Sequence, residues 1–249
     1  MIGAGRALVI VPTYNERDNV DEVVRRLFAA AGEGVHLLVV DDGSPDGTAA
    51  RVQELARERG DIHLLRRPGK LGLGTAYVAG FRWALKRDYV ACVEMDADLS
   101  HDPADVPRLL DALDHADLVI GSRYVPGGRV VNWSWARRAL SGAGNLYARA
   151  WLGFGVHDST GGFRAYSRAI LERLDLGSVR SEGYAFQIEM ARRVHRAGGH
   201  IVEVPIVFSE RASGTSKMSR RIVAEALTSV TRWGIQDRFG RRSPGRRRA

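Results

Sequence analysis

Two aspartates separated by one residue, Asp96-Ala97-Asp98, follow directly on the apolar run Tyr89 to Met95. Carboxylates two residues apart in an extended turn approach one divalent cation, directly or through water. Hard oxygen donors suit Mg²⁺ or Mn²⁺, ions that usually also hold substrate phosphates. A bare Asp-x-Asp serves equally as a helix-capping loop. The metal reading gains from a second acidic pair, Asp41-Asp42, at the end of another apolar run. Basic residues complete the set. Arg123 ends a further run, and Arg211 and Lys217 flank the stretch Ala212-Ser213-Gly214-Thr215-Ser216. Small residues let such a loop close over a ligand, where its cations neutralise phosphate. The plainer alternative for each cation is ordinary surface charge.

Other chemistries are disfavoured. Gly72-Leu73-Gly74 lacks the third glycine of a dinucleotide fingerprint, and no Gly-Lys-Ser/Thr phosphate loop is present. The seven histidines have no zinc spacing, and the single cysteine, Cys92, provides neither an internal disulfide nor a Cys-based zinc site. No serine lies in a Gly-x-Ser-x-Gly elbow. What remains is a site for a metal and a diphosphate, without a hydrolytic triad or redox cofactor.

These residues need strands to carry them to one edge. Ala7 to Pro12, His36 to Val40, Ile62 to Leu65, Tyr89 to Met95 and Leu118 to Gly121 are short apolar runs, the pattern of strands buried on both faces. Between them lie helical stretches from about Asp18, Gly47 to Arg59, Gly74 to Lys86, and one opened by Asp102-Pro103 and running to about Asp114. The alternation predicts an α/β fold, a mostly parallel sheet with helices on both faces. Ligands of such sheets bind beyond the carboxyl ends of the strands. Those ends carry Tyr14-Asn15-Glu16, Asp41-Asp42, Asp96 to Asp98, and Ser122-Arg123. Four polar strand ends on one rim favour a binding site over four solvated loops.

The later part is less regular. A helical stretch lies within Trp133 to Phe154, and residues 158 to 166 form a glycine-containing turn entering a strand or short helix. A helix follows over 184 to 197, then an extended segment from Ile201 to Phe208. Ser219 to Trp233 reads as an amphipathic helix with Ile222, Val223, Ala226, Leu227, Val230 and Trp233 on one face. It either packs against the domain or lies at a membrane interface. The expected organisation is one domain over residues 1 to 237, with an elaborated C-terminal part, and an Arg-rich tail over 238 to 249, expected to be disordered.

The 249 residues are 45% hydrophobic and 27% charged, enough apolar content for a sizeable core. The net charge is +8, but residues 238–249 hold six Arg and no acid, so the excess over residues 1–237 falls to two. A nearly balanced body with a basic tail disfavours a nucleic-acid-binding protein. The tail reads as an attachment device for anionic lipid or nucleic acid, or as a solubilising, disordered terminus. The longest run without a charged residue, Leu71 to Phe81, is eleven residues. A spanning helix needs roughly 20, so no transmembrane segment is expected, and the opening residues do not read as a signal peptide.

Several stretches together resemble the family 2 glycosyltransferases of GT-A fold, and within them the polyprenyl-phosphate mannosyltransferases. They are Val11-Pro12-Thr13-Tyr14-Asn15-Glu16, residues 40 to 47 (VDDGSPDG), 70 to 77 (KLGLGTAY), 95 to 101 (MDADLSH), Gly121-Ser122-Arg123-Tyr124, and residues 160 to 166 (TGGFRAY), 183 to 189 (GYAFQIE) and 208 to 217 (FSERASGTSK). The resemblance runs from about residue 8 to 230. The first two motifs are shared across family 2. Those at 70 to 77, 183 to 189 and 208 to 217 point to the polyprenyl-phosphate subgroup.

The resemblance implies a Rossmann-like sheet and inverting transfer of mannose from GDP-mannose to a polyprenyl phosphate. Pro12, Tyr14, Glu16, Val40 and Asp42 match the nucleotide pocket. Asp96, Ala97 and Asp98 match the metal and diphosphate segment, with Asp96 and Asp98 as ligands to Mg²⁺ or Mn²⁺. Arg123, Arg211 and Lys217 match phosphate contacts and, with Asp98, form the expected catalytic set. Arg123, Arg137 and Ser141 fall where the family binds the acceptor phosphate. Gln187 and Glu189 sit in a matching helix without an assigned role. Some members place a metal-binding Gln two residues after the second Asp. Here that position is Ser100, and the third ligand is left to Ser100 or water. A UDP-sugar such as UDP-glucose is the alternative donor, because spacing does not identify the base.

A lipid acceptor places the expected enzyme peripherally at the cytoplasmic face of a membrane. The family offers two precedents for reaching it: membrane domains, fused or separate, and small membrane-integral partner proteins. The sequence leaves both open. The candidate anchors are the 219 to 233 helix, the Trp133-Ser134-Trp135 segment and the tail.

Overall fold

The computed structural model describes residues 5–209 and 220–239, except the side chains of residues 220–223. Strands β1 (Arg6–Thr13), β2 (Val35–Asp41), β3 (Ile62–Arg66) and β4 (Tyr89–Glu94) are linked by helices α1 (Arg17–Ala30), α2 (Thr48–Glu58) and α3 (Leu73–Leu85). Then come α4 (Val106–Ala112), β5 (Leu118–Ser122), β6 (Arg129–Val131), α5 (Trp135–Leu152) and β7 (Arg164–Ser167). The remainder is α6 (Arg168–Arg173), α7 (Gly183–Arg196), β8 (Ile201–Pro205), β9 (Val207–Ser209) and α8 (Arg220–Phe239).

Seven strands form one sheet in the order β3-β2-β1-β4-β7-β5-β8. All neighbours are parallel except β7, which runs antiparallel to both β4 and β5. The expected α/β architecture and its helices on both faces are present. Packing on both faces explains why β1 and β2 are apolar along most of their length. In β1, Leu8 and Ile10 enter the core beneath α3, α5, α6, α7 and α8, while Ala7, Val9 and Val11 enter the core beneath α1, α2 and α4. In β2, Leu38 and Val40 take the first side and Leu37 and Val39 the second. Burying each such side chain stabilises the fold by about 1.5–3 kcal/mol relative to exposure.

Three elements refine the reading. The turn at 158 to 166 leads into both a strand and a short helix, β7 and then α6. The helix expected from Asp102 to Asp114 is instead a 3₁₀ turn (Pro103–Asp105), α4 and a second 3₁₀ turn (Leu113–His115). Pro107 has no N–H for an uninterrupted helix starting at residue 103, and Asp102 caps only the first turn, accepting from the Ala104 amide at 3.0 Å. The C-terminal helix runs beyond Trp233 to Phe239. It passes Gly234 because α8 lies against α5 there: a Cβ would meet Trp151 Cε3 at 2.8 Å and the Trp151 carbonyl at 2.9 Å. Asp237 then holds the last turn, pairing bidentately with Arg192 at 2.7 and 2.6 Å and with Arg196 at 2.8 Å.

Candidate active site

The carboxyl ends of β1, β2 and β4 form one rim. Pro12 and Val40 are register partners across β1 and β2. Val40 is fully buried in the core, so only its backbone can meet a ligand. Asp41 is committed to the loop. Its carboxylate accepts from Thr13 Oγ1 (3.0 Å), Ser44 Oγ (2.6 Å) and the Ser44 amide (3.0 Å). Asp42 is gripped by Arg67, Nε to Oδ1 at 2.5 Å and Nη2 to Oδ2 at 2.7 Å, and also accepts from the Leu71 amide at 3.1 Å. Thus Asp42 fixes the 67–72 loop through Arg67, a residue that no motif singled out. Tyr14 is partly exposed with Lys70 Nζ 4.4 Å from its ring centroid. Glu16 accepts from Asn19 Nδ2 at 2.7 Å, and its amide donates to Thr48 Oγ1 at 3.1 Å.

β4 delivers the acidic turn. Ala97 is buried in the core, whereas Asp96 and Asp98 on either side are partly exposed. One packed methyl thereby sets two carboxylates at the rim. Asp98 Oδ1 accepts from the Ser100 amide at 3.0 Å, and Tyr77 Oη donates to Asp96 Oδ1 at 3.4 Å. Leu99, between Asp98 and Ser100, adopts φ +59°, a left-handed conformation that costs a non-glycine residue about 1–2 kcal/mol. The Ser100 Oγ is buried and has no hydrogen-bond partner among the described residues. Two carboxylates and an orphaned hydroxyl are hard oxygen groups, and this donor set fits a divalent cation completed by diphosphate oxygens or water. Among the described residues no three His, Cys, Asp or Glu side chains gather into a metal-binding group.

Beneath the turn, Glu94 is fully buried, and burial pushes its carboxyl up to about 8, against the opposing pull of Arg164. Arg164 is itself inaccessible and donates to the carbonyls of Gly161 (2.8 Å), Gln187 (2.6 Å) and Ser159 (2.7 Å). Gln187, a motif residue without a role in the sequence, therefore supports this polar floor through its backbone.

Arg123, Arg137 and Ser141 come together in the wall of a groove of about 300 Å³. Its other walls include Leu140, Gly144 and Tyr147 of α5, Tyr184 and Ile188 of α7, and Leu227 and Val230 of α8. Arg137 and Ser141 lie four residues apart on α5, hence on one face. Ser134 caps that helix, accepting from the Arg137 amide at 3.3 Å, and the Arg137 guanidinium lies 4.1 Å from the Trp133 ring centroid. Trp133 is buried and Trp135 is 82% exposed, so the two tryptophans have different surroundings. Arg123 differs from expectation in its environment. It is 7% exposed and holds Asp158 bidentately, Nε to Oδ2 at 2.7 Å and Nη2 to Oδ1 at 2.6 Å. Burial works to raise the Asp158 carboxyl, and Arg123 outweighs it, leaving it below its ordinary value. Asp158 also accepts from the amides of Arg123 and Gly161, so the ion pair closes the 158–161 loop onto β5. Arg211, Lys217 and the residues between them, expected as a closing loop, lie outside the described residues.

A wound sheet with an Asp-x-Asp turn at its carboxyl rim is the architecture of the GT-A glycosyltransferases. Glucosyl-3-phosphoglycerate synthase from Mycobacterium tuberculosis, solved with Mn²⁺, UDP and glucosyl-3-phosphoglycerate, shares the fold at a TM-score of 0.62 and 22% identity, over 98% of this chain and 86% of that one. The same enzyme solved with Mn²⁺ and UDP-glucose gives 0.64 at 22% identity, over 98% and 85%. Residues 8–175 match the Glycosyl transferase family 2 profile, and the chain belongs to that family. Among its relatives, polyprenol monophosphomannose synthase of Mycolicibacterium smegmatis is 54% identical over 95% of this chain and 89% of its own length. Undecaprenyl-phosphate mannosyltransferase of Micrococcus luteus is 52% identical over 94% and 96%. The resemblance read from the motifs therefore stands.

Proposed function

We propose that the chain transfers mannose from GDP-mannose to the phosphate of a polyprenyl lipid, with inversion at the anomeric carbon. The names of the two relatives support the mannosyl transfer and the lipid class. The observation in this molecule that carries the reading is the groove. Arg137 and Ser141 share a mostly apolar channel with Leu227 and Val230. A cation and a hydroxyl at an apolar channel suit an anionic head on a hydrocarbon chain.

The reaction asks little acid–base chemistry of the protein. The acceptor is a phosphate monoester, largely ionised near neutral pH, and needs no general base of the kind a sugar hydroxyl requires. Positioning is the main demand, since acceptor oxygen, anomeric carbon and leaving diphosphate must lie in line. Arg137 and Ser141 hold the acceptor phosphate. Arg123, its charge engaged by Asp158, shapes the wall between the two anions. Asp96 and Asp98 hold a divalent cation, Mg²⁺ or Mn²⁺, with Ser100 or water alongside. When bound, that ion supplies charge neutralisation for the departing diphosphate. Mn²⁺ in the solved structures of the fold relatives supports this assignment. Arg211 and Lys217, which precede α8 in sequence, add phosphate contacts. Tyr14, Glu16 and Asp42 line the nucleotide end, Asp42 through the loop it fixes.

The lipid must be met at a membrane. No helix among the described residues is long and apolar enough to cross one. α5 and α8 instead expose Trp135, Leu146, Leu227, Ile235 and Phe239. Exposed apolar side chains on two of the helices that wall the groove suit peripheral seating on the cytoplasmic leaflet, with the basic tail as a further attachment. A membrane-integral partner protein would use the same face.

The test is purified protein with GDP-mannose or UDP-glucose, a short-chain polyprenyl phosphate, and Mg²⁺ or Mn²⁺, with product mass analysis. The expected product is polyprenyl-phosphate mannose from the GDP donor. Product from the UDP-sugar alone overturns the donor assignment, and no lipid product from either overturns the function.

A further inference from the structure

His101 is 2% exposed, five residues beyond the first aspartate of the acidic turn. Its ring is fixed on two sides. It stacks on Phe163 with centroids 5.0 Å apart and planes at 15°, and meets Phe208 edge-on at 5.4 Å and 70°. So held, its Nδ1 accepts a hydrogen bond from the Asp96 amide at 3.2 Å. An amide can only donate, so Nδ1 carries no proton and the neutral ring is protonated on Nε2. The nearer Asp96 carboxylate oxygen lies 4.0 Å from the same nitrogen, beyond hydrogen-bonding distance. The histidine therefore grips the backbone and leaves the carboxylate facing the rim.

The turn needs such a grip. Leu99 sits at φ +59°, a conformation that persists only where the surroundings impose it. The Asp98 carboxylate bonds the Ser100 amide from within the turn. Outside it, the Ser209 amide of β9 reaches the Ser100 carbonyl at 3.3 Å. At its entry the Met95 amide still joins the sheet, donating to the Ile10 carbonyl at 3.1 Å, and the next amide, that of Asp96, is held by His101.

We infer that His101 is a positioning residue for the acidic pair: its Nδ1 anchors the peptide before Asp96 and so sets the direction in which Asp96 and Asp98 present their oxygens. This inference rests on the reading of that pair as the holder of the cation and diphosphate. His101 touches neither substrate, and its effect reaches them through the turn.

The test compares His101→Phe, which keeps the aromatic packing and removes the acceptor, with His101→Asn, whose Oδ1 restores an acceptor near the Nδ1 position. Asp98→Ala serves as a control. Mn²⁺ binding in the presence of GDP is followed by electron paramagnetic resonance. Amide exchange at Asp96 is followed in metal-free protein. His101→Phe is expected to weaken Mn²⁺ binding about tenfold, the scale of one hydrogen bond, and to speed Asp96 exchange. His101→Asn should recover most of both, and neither variant should shift the KM for polyprenyl phosphate. Wild-type binding and exchange in His101→Phe would overturn the inference, as would equal losses in Phe and Asn variants with unchanged exchange at Asp96. Should His101→Phe fail to fold, His101→Leu, apolar and likewise without an acceptor, replaces it under the same expectations. Unimpaired Mn²⁺ binding in Asp98→Ala would instead sink the metal reading itself, separating the two failures.

Discussion

The strand-end rim and the helical groove solve different recognition problems with different materials. At the rim nearly every polar group is held by another. Asp41 is bound by Thr13 and Ser44, Asp42 by Arg67, and the Asp96 amide by His101. In the groove the surfaces are aliphatic and aromatic, supplied mostly by three helices, and the polar side chains are Arg123, Arg137, Ser141, Thr160, the two tyrosines and the indole N–H of Trp133. A diphosphate leaving group requires fixed dipoles and charges, since stabilisation without reorganisation depends on rigidity. A flexible hydrocarbon chain requires area and tolerance. The contrast predicts that rim substitutions act on chemistry and donor binding, and groove substitutions on the acceptor alone.

The largest test of that division is Asp98→Ala. Turnover measured at saturating GDP-mannose and Mn²⁺ should fall about a thousandfold, the scale of several kcal/mol of lost charge stabilisation. Near-normal turnover would remove the rim from the chemistry. Next comes Asp158→Asn, at the junction of the two regions. It strands the buried Arg123 guanidinium, and breaking such a pair costs about 3–5 kcal/mol in denaturant unfolding. A loss below about 1 kcal/mol would show the pair to be solvated in solution. Arg137→Ala should raise the KM for polyprenyl phosphate about tenfold or more, the weight of a charge-assisted hydrogen bond, with GDP affinity unchanged. A change confined to the donor KM would move Arg137 to the rim and erase the distinction.

The smallest effect lies at the opposite end of the sheet and serves as a control for both regions. His36 Nδ1, His63 Nε2 and Tyr89 Oη lie 3.1–3.2 Å apart at the amino ends of β2, β3 and β4. Burial lowers both histidines from the ordinary 6.5, reinforced by Arg6 at His36 and by His36, Arg87 and Arg6 at His63, while Asp61 opposes. The folded state thus resists protonation more than the unfolded chain. Its contribution is present above pH 6.5 and is lost as pH falls through the lowered folded values. Thermal melting of His63→Phe should be less dependent on pH below 6.5 than the wild type, with acceptor and donor KM values unaltered. An unchanged melting profile would remove the histidines from that dependence.

The same contrast governs what could be read from the chain. The rim was legible because it is built from strand ends. Apolar runs such as His36 to Val40 announce doubly buried strands, and their last residues fall at one edge by topology. The groove was legible only in part. Arg137 and Ser141 follow helical spacing, but which helices face them depends on long-range packing, as does the split between buried Trp133 and exposed Trp135. Partners far apart in sequence were invisible. Arg123 and Asp158 are 35 residues apart, and Arg67 and Asp42 are 25 apart. β7 was ambiguous because its four residues, Arg-Ala-Tyr-Ser, include an arginine that is fully buried here, against the ordinary preference of that residue. The proline-split helix at 103–115 followed from Pro107, whose missing N–H outweighs the apolar spacing around it.

The antiparallel strand β7 also bears on the order in which the molecule can be completed. β5 has only β7 and β8 as neighbours in the sheet. Both emerge from the ribosome after it. The four strands up to Glu94 can pair among themselves as synthesis proceeds, whereas residues 118–122, and with them Arg123, have no ladder to join until Arg164 to Ser167 arrive. A nascent chain can therefore pair the four strands that carry the acidic rim well before the groove exists, whose walls wait beyond β7 for α7 and α8.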